Sequence, residues 1–277
     1  MNNGFRLLIV GMLLFAGVAW AGERPPPPPP PPGTAWTALL QQHVVIVDGG
    51  HASRVDYAGM RRDQAHLDDY TRQLSAVSLP QFQAWDRNDQ MAFLINAYNA
   101  FTIQLVLTRW PRLTSIKDLG GIFSSPWKQD FFVLLGQRTN LDHIESLLRT
   151  GHSYADPRIH FALNCASISC PMLRNEAYVG DRLDNQLADA TKRFLGDRSR
   201  NRYDASGSTL EVSKIFDWYS DDFQRDAVGS VRKFLISQAA SLGDGSITQQ
   251  QLGKPAVSIR FLPYDWRLNS VPSTPNR

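Results

Sequence analysis

The sequence has few of the residues that familiar enzyme motifs require. Two cysteines and six histidines occur among its 277 residues. They form neither a Cys-x-x-Cys pair nor a His-Glu-x-x-His motif. A Gly-x-Ser-x-Gly elbow, a P-loop, a dinucleotide-binding glycine pattern and a calcium loop are also missing from the sequence. The chain therefore lacks the signatures of thioredoxin-like oxidoreductases, serine α/β-hydrolases and nucleotide-binding enzymes.

The charge and the hydropathy pattern are equally unspecialised. The formal net charge is +3, and no basic stripe interleaved with aromatic residues runs along the chain, so we expect no nucleic-acid partner. No repeat of fixed period indicates a solenoid or a propeller. No apolar stretch reaches the length of about 20 residues that spans a bilayer.

The N-terminus has the composition of a secretory signal peptide. Arg6 precedes the apolar stretch 7–18, and Ala19-Trp20-Ala21 forms a small-residue cleavage site. We therefore predict a signal peptide over 1–21 and a periplasmic or secreted protein that meets the membrane only transiently through this signal. A retained membrane anchor is the alternative, because a signal peptide and an anchor of this kind differ only in whether the segment is cleaved.

Eight consecutive prolines follow the predicted signal, at Pro25–Pro32. Because proline fixes φ and lacks a backbone N–H, this run predicts a polyproline II rod. We interpret residues 22–33 as a stiff linker, and a ligand for a proline-binding domain is the alternative. Residues 34–277 have the composition of a single globular domain.

Apolar periodicity predicts a mixture of helices and strands in this domain. Helices are expected near Thr34 and over 61–74, 91–110, 141–149, 181–195 and 223–240. Strands are expected over 44–47, in a hairpin around Gly136, and over 158–163, 209–212 and 257–262. Because the elements do not alternate as βαβ units, we predict an α+β domain with helices around a central, largely antiparallel sheet.

The segment Asp156–Pro171 contains the densest set of reactive side chains. It includes His160, Asn164, Cys165 and Cys170. An imidazolium beside a cysteine stabilises the thiolate near neutral pH, so His160 and Cys165 are the candidate base and nucleophile. Residues five apart in a strand point to opposite faces, so we expect the chain to turn near Asn164 and to place Cys165 at a helix N-terminus.

A third residue would orient the imidazole, and the candidates are Asp217 and Asn164. Cys165 also has two structural interpretations. It is either a small buried apolar residue or one half of a Cys165–Cys170 disulfide, which export to an oxidising compartment favours. A reducible bridge would join the disulfide and the nucleophile as a redox switch.

A metal site is a weaker interpretation of the same region. His143, His152 and His160 lie near the two cysteines, but none of the spacings matches a compact zinc motif. We therefore predict no metal and no cofactor.

Several polar and aromatic residues outside this segment have two interpretations. Buried amides must be hydrogen-bonded, so they either tie loops to the core or line a pocket. Charged residues near aromatic ones similarly form either structural ion pairs or a pocket wall. The candidate binding residues are Asn96, Tyr98, Asn99, Arg158, Lys214, Trp218 and Asp265.

Five short segments together resemble the domain of unknown function 547 family. In chain order they are Phe93–Phe101, Leu148-Arg149, Asp156–Pro171, Ser213–Tyr219 with Asp222-Phe223, and Tyr264–Asn269. The resemblance extends from about Trp36 to Asn269. It implies one domain, found in exported bacterial proteins and, with extra domains, in plants, and it implies no reaction.

The order of these segments is also similar to that of papain-like and transglutaminase-like enzymes, which place a nucleophilic cysteine on the first central helix. Asn96 or Asn99 would occupy that position here, so Cys165 would have to act instead. We predict a thiol-dependent hydrolase or acyltransferase of the cell envelope, acting on an unidentified small molecule or envelope component. The alternative is a non-catalytic periplasmic module for ligand binding or scaffolding.

Overall fold

The computed structural model describes residues 29–31, 33–121, 124–150, 154–206, 208–225, 229–242 and 248–272. The predicted signal peptide lies outside these residues, as does most of the predicted proline linker. None of the described helices is long and apolar enough to cross a membrane.

Helices dominate the described part of the chain. The α-helices are α1 Thr34–His43, α2 Tyr57–Arg62, α3 Gln64–Ala76, α4 Leu79–Gln83, α5 Arg87–Leu107, α6 Leu141–Thr150, α7 Leu183–Gly196, α8 Ile215–Trp218, α9 Ser220–Arg225, α10 Val231–Ser237, α11 Ala239–Leu242 and α12 Gln249–Leu252. Short 3-10 helices lie at Asp48–Gly50, Ile116–Leu119, Pro126–Lys128, Pro157–Phe161 and Gly180–Arg182.

The strands are short and form three separate small sheets within the described residues. They are β1 Val44–Val47, β2 Ala52–Val55, β3 Phe132–Leu134, β4 Gln137–Thr139, β5 Arg202–Asp204, β6 Thr209–Val212 and β7 Ser258–Phe261. Strands β1 and β2 pair antiparallel, as do β3 and β4, and the third sheet has the order β5-β6-β7 with a parallel β6–β7 pair. The mixed α+β class is confirmed. The central sheet was a wrong expectation, because strands of three or four residues are too short to organise a core of this size.

Helix α5 occupies the centre of the larger core. Its N-terminus is capped by Asp86, whose carboxylate accepts the N–H of Asp89. Nearly every residue from Met91 to Leu107 is buried, and a helix that is apolar around its whole circumference must be surrounded by other elements. The sequence prediction of a long buried helix before Pro111 is confirmed.

The helix predicted over 223–240 is interrupted in the structure. Gly229 adopts a positive φ of 79°, a conformation that favours glycine and does not continue a helix. Ser230 then begins α10 by accepting the N–H of Lys233. Three short helices, α9 to α11, therefore replace the expected single one.

The segment predicted as a strand over 158–163 is a 3-10 helix, Pro157–Phe161. Pro157 fixes φ at the first helical position, and the carboxylate of Asp156 accepts the N–H of Arg158, so the local sequence starts a helix. The chain then turns, with Ala166 at a positive φ of 61°. Cys165 consequently lies in a loop rather than at a helix N-terminus.

Two clusters of buried apolar residues meet at this segment. The larger cluster surrounds α5 and includes Ile159 and Leu163. The smaller one is rich in phenylalanine and includes Phe161 and Phe216. His160 therefore lies where the two clusters adjoin.

Candidate functional site

A cavity of about 320 Å³ has walls from both apolar clusters. Sulfur, imidazole, carboxyl, guanidinium and phenol groups all line it, in Cys165, Cys170, His160, Glu145, Arg149 and Tyr264. A cavity of this size with converging polar groups is the first place to look for a ligand or a substrate.

The two cysteines are joined by a disulfide, with their Cα atoms 5.9 Å apart. Cys165 is partly exposed, whereas Cys170 is only 3% exposed. The hydroxyl of Tyr264 lies 3.2 Å from Cys165 Sγ and 3.3 Å from Cys170 Sγ. While the bridge is intact, Cys165 has no thiol, so nucleophilic chemistry at this residue requires reduction.

The imidazole of His160 is oriented by a carboxylate. Its Nε2 lies 2.7 Å from Asp222 Oδ2, and its ring stacks on Tyr219 with the centroids 3.9 Å apart. Because a carboxylate can only accept, Nε2 of the neutral ring carries the proton and Nδ1 retains a lone pair. This tautomer leaves Nδ1 as the proton acceptor of the ring.

Burial, together with the guanidinium groups of Arg149 and Arg225, lowers the pKa of His160 to about 3. The ring is therefore neutral at pH 7. This differs from the imidazolium expected beside the sulfur from the sequence. A neutral His160 can accept a proton during a reaction, but it cannot stabilise a sulfur anion by its charge.

Asp222 is a buried carboxylate held by two cations. Arg149 donates from Nε to Oδ2 at 2.6 Å, and Arg225 contacts Oδ1. The side chain of Asp222 is only 7% exposed, and a buried charge requires such partners. The guanidinium of Arg149 also lies 4.9 Å from the centre of the Tyr219 ring, so one cation orients both the carboxylate and the aromatic partner of His160.

Glu145 adds a second carboxyl group to the cavity wall. Burial raises the pKa of Glu145, while the hydroxyl of Tyr219 and the cation of Arg149 oppose that shift. A carboxyl group with a raised pKa can hold a proton closer to neutral pH than an exposed one. Glu145 could not be identified from the sequence, because a glutamate on an amphipathic helix has no distinguishing local pattern.

Asp222 takes the role that was predicted for Asp217 or Asn164. Asp217 instead lies at the surface, where its carboxylate pairs with Lys214 Nζ at 2.6 Å. The sequence singled out Asp222 only as part of the Asp222-Phe223 segment and assigned it no role at the site. Its contact with His160 spans 62 positions, so packing alone could reveal it.

Asn164 shapes the cysteine loop and does not orient His160. Its amide donates to the carbonyl of Pro171 at 2.7 Å, and its oxygen accepts the N–H of Ala166 at 3.0 Å and the amide of Asn269 at 3.3 Å. These bonds hold Ala166 in a backbone conformation that is costly for any residue except glycine. Asn164 therefore contributes to the site by fixing the backbone of the loop that carries Cys165.

The two asparagines of α5 also tie loops to the core. Asn96 donates to the carbonyl of Tyr178 at 2.7 Å and accepts its N–H at 2.9 Å. Asn99 donates to the carbonyl of Ala162 at 3.0 Å and accepts the N–H of Asn164 at 2.8 Å. Neither asparagine lines this cavity, although Asn96 lines a smaller one of about 180 Å³. The amide groups of both residues are bonded to the backbone of loops.

Two of the predicted charged binding residues form ion pairs away from the cavity lining. Arg158 bonds Asp156 and Asp184 at 2.7 Å each. Asp265 pairs with Arg267, a guanidinium whose side chain is 77% exposed. Both residues therefore form structural ion pairs, which was one of their two interpretations.

Tyr98 and Trp218 do line the cavity. Trp218 is 43% exposed and stacks on Trp266 with the ring centroids 5.6 Å apart. Trp127 meets Trp266 edge-on at 5.7 Å, and both belong to the lining. Trp127 and Trp266 were missed as site residues, although the motif around Trp266 had been noted.

Within the described ranges, no group of three or more His, Cys, Asp or Glu side chains is arranged to hold a metal ion. His143 lies in the first turn of α6 and is exposed, with its backbone N–H bonded to Asn140 Oδ1 at 2.9 Å. His152 lies outside the described residues.

Comparison with known protein families matches residues 82–195 to the family described as "Protein of unknown function, DUF547". The matched stretch includes Glu145, Arg149, His160 and both cysteines, whereas Asp222 and Tyr264 follow it. No curated protein and no solved structure matches the chain.

Proposed function

The chain belongs, through residues 82–195, to the DUF547 family of proteins of unknown function, and we propose that its cavity carries out thiol-dependent acyl transfer. In this proposal Cys165 is the nucleophile of a hydrolase or acyltransferase once its disulfide has been reduced. The supporting observation is that a partly exposed Cys165 and a His160 held by Asp222 line one cavity. The signal peptide predicted from the sequence over 1–21 supports placing the reaction in the cell envelope.

The proposed reaction begins as the sulfur of Cys165 attacks an acyl carbon and its proton passes to Nδ1 of His160. A C–S bond forms, and the bond from the acyl carbon to the leaving atom breaks as the proton moves from His160 to that atom. Water or another acceptor then attacks the thioester carbon, the C–S bond breaks, and Cys165 regains a proton. Hydrolysis and transfer differ only in the acceptor.

Asp222 supports this cycle by stabilising the imidazolium that forms transiently on His160. The low pKa of His160 favours its neutral form in the resting site. Proton transfer therefore accompanies the attack of the sulfur, and no stable thiolate–imidazolium pair precedes it.

Turnover of p-nitrophenyl esters and aryl amides tests the proposal. The protein is assayed before and after treatment with a dithiol reductant, with alkylation confirming that both cysteines are free. We expect turnover only after reduction, and a loss of at least about a hundredfold in Cys165→Ala. The matched variant Cys170→Ala should be active without reductant, because Cys165 then has no partner.

Two outcomes would reject thiol chemistry. One is equal turnover by the oxidised and the reduced protein. The other is full turnover by Cys165→Ala at an unchanged melting temperature. In either case the acyl-transfer step would not pass through this sulfur.

The aromatic wall favours a second candidate, a binding module without catalysis. Trp218, Trp127 and Trp266 are partly exposed on the cavity wall, and such rings bury large ligand surfaces at small entropic cost. This candidate expects a ligand to copurify and to be detected by native mass spectrometry, with loss of that ligand in Trp218→Ala. It also expects Cys165→Ala to complement a deletion strain fully.

A further inference from the structure

The hydroxyl of Tyr264 contacts both sulfur atoms of the disulfide. It lies 3.2 Å from Cys165 Sγ, 3.3 Å from Cys170 Sγ and 3.3 Å from Ser167 Oγ. Ser167 donates to the phenol oxygen, which leaves the phenol proton directed at sulfur. Such a chain of hydroxyl groups strengthens the terminal donor.

Further donors converge on the same loop. The backbone N–H of Cys165 points at Cys170 Sγ, with nitrogen and sulfur 2.8 Å apart. Beneath the loop, the buried guanidinium of Arg200 donates to the carbonyls of Cys170 and of Ile168, the latter at 2.7 Å. A sulfur anion in this loop would therefore face the phenol of Tyr264 and the backbone N–H of Cys165. Arg200, which pairs with Asp197, holds the loop through its carbonyls.

Other groups near the sulfurs do not supply this stabilisation. His160 is neutral at pH 7 because its pKa is low, and the cation of Arg149 is already bonded to Asp222. Burial raises the pKa of Tyr264 to about 12, so its phenol keeps its proton throughout the physiological range.

We propose that Tyr264 stabilises the sulfur anions formed when the Cys165–Cys170 bridge opens, and that the bridge is a reversible redox switch on the cavity. The proposal rests on the proposed function in one respect: the reduced form of Cys165 is taken as the form that is active in acyl transfer. The co-reactant is a dithiol, either a small molecule or a protein.

The exchange has two steps. A thiolate of the dithiol attacks the partly exposed Cys165, the S–S bond breaks, and Cys170 leaves as a thiolate that accepts the phenol proton of Tyr264 as a hydrogen bond. The second thiol of the reductant then attacks the other sulfur atom of the reductant, which is bonded to Cys165 in the mixed disulfide. This step releases Cys165. Two electrons and two protons pass to the cysteines, and the dithiol becomes a disulfide.

Reduction by dithiothreitol, followed by alkylation and intact-mass measurement, tests the proposal on the whole protein. Tyr264→Phe keeps the ring and removes the donor. Because a hydrogen bond to a charged group contributes more than a neutral one, we expect reduction to slow about tenfold. The pKa of the Cys165 thiol, taken from alkylation rates against pH, should rise by about one unit.

Tyr203→Phe is the matched control, since Tyr203 lies on β5 and no described contact joins it to either sulfur. It should leave the reduction rate and the thiol pKa unchanged. An unaltered rate and thiol pKa in Tyr264→Phe would overturn the proposal, as would equal slowing in both variants. These measurements use no acyl substrate, so a failure of the acyl-transfer proposal remains distinguishable from a failure of the switch.

Discussion

Two polar clusters flank the cysteine loop, and their bonding differs. The amide cluster, Tyr57, Asn99, Asn164 and Asn269, bonds its amides and hydroxyl to one another and to backbone groups. The charge cluster, Arg149, His160, Asp222 and Arg225, also bonds internally, but its imidazole and one guanidinium line a cavity.

The difference indicates which property marks a functional polar residue. Both clusters are hydrogen-bonded and both contain fully buried polar side chains, although the side chain of Arg225 is 53% exposed. The presence of buried polar groups therefore does not separate them. The amide cluster bonds the backbone of the loop that carries Cys165. The charge cluster instead holds His160, whose Nδ1 keeps its lone pair, in the wall of the cavity. We therefore assign fold stability to the amide cluster and chemistry to the charge cluster, and the following variants test that assignment.

The largest loss of stability is expected for Asp222→Ala. This change leaves the buried N–H of His160 and the partly buried guanidinium of Arg149 without their carboxylate, and removing one partner of a buried ion pair costs about 3–5 kcal/mol. Arg225, whose side chain is 53% exposed, is resolvated and adds little. Asp217→Ala is the control, because its pair with Lys214 is exposed and such pairs contribute about 1 kcal/mol or less. Denaturant unfolding measures both, and equal losses would contradict the central place of Asp222.

Asn99→Ala should cost less stability than Asp222→Ala. It removes the partners of the Asn164 N–H and the Ala162 carbonyl, and a buried unsatisfied group costs about 1–3 kcal/mol. Thiol turnover per folded molecule should stay within a few-fold of wild type. A collapse of turnover in a fully folded Asn99→Ala protein would place the amide cluster in the chemistry.

Acid is also expected to reduce stability. The pKa of His160 falls from about 6.5 in the unfolded chain to about 3 in the folded protein. The unfolded state therefore binds more protons between these values, and stability is lost as the pH falls from about 6.5 towards 3. The raised pKa of Glu145 acts in the opposite direction, since the folded state then binds the extra proton.

His160→Gln isolates this contribution, because glutamine can donate to Asp222 but does not titrate. Its free energy of unfolding should depend less steeply on pH between 4 and 6.5 than that of wild type. Identical slopes for the two proteins would show that His160 does not carry the acid sensitivity.

Local sequence signals were enough to predict the elements that they determine. Asp86 caps α5, and the apolar stretch that follows predicts a helix buried on all sides. The hairpin β3–β4 was likewise predicted from its turn at Gly136. The segment around His160 was predicted wrongly, because the apolar pattern of 158–163 was weighed above Pro157 and the cap at Asp156.

The site could be predicted only where reactive residue types cluster in sequence. His160 and Cys165 met this condition, and both line the cavity. Asp222 and Tyr264 reach the same site from 62 and 99 positions away, so only tertiary packing identifies their partners. The surface carboxylate Asp217 looked equivalent in sequence, because its burial could not be predicted from neighbouring residues.

The most direct test of the central claim measures turnover and melting temperature together in reduced His160→Gln. General base catalysis by a positioned side chain contributes about 10²–10⁴-fold. We predict that the variant loses at least about a hundredfold of the turnover that depends on Cys165, while its melting temperature at pH 7 stays within a few degrees of wild type. Turnover equal to wild type in the folded variant would contradict the assignment of chemistry to the charge cluster.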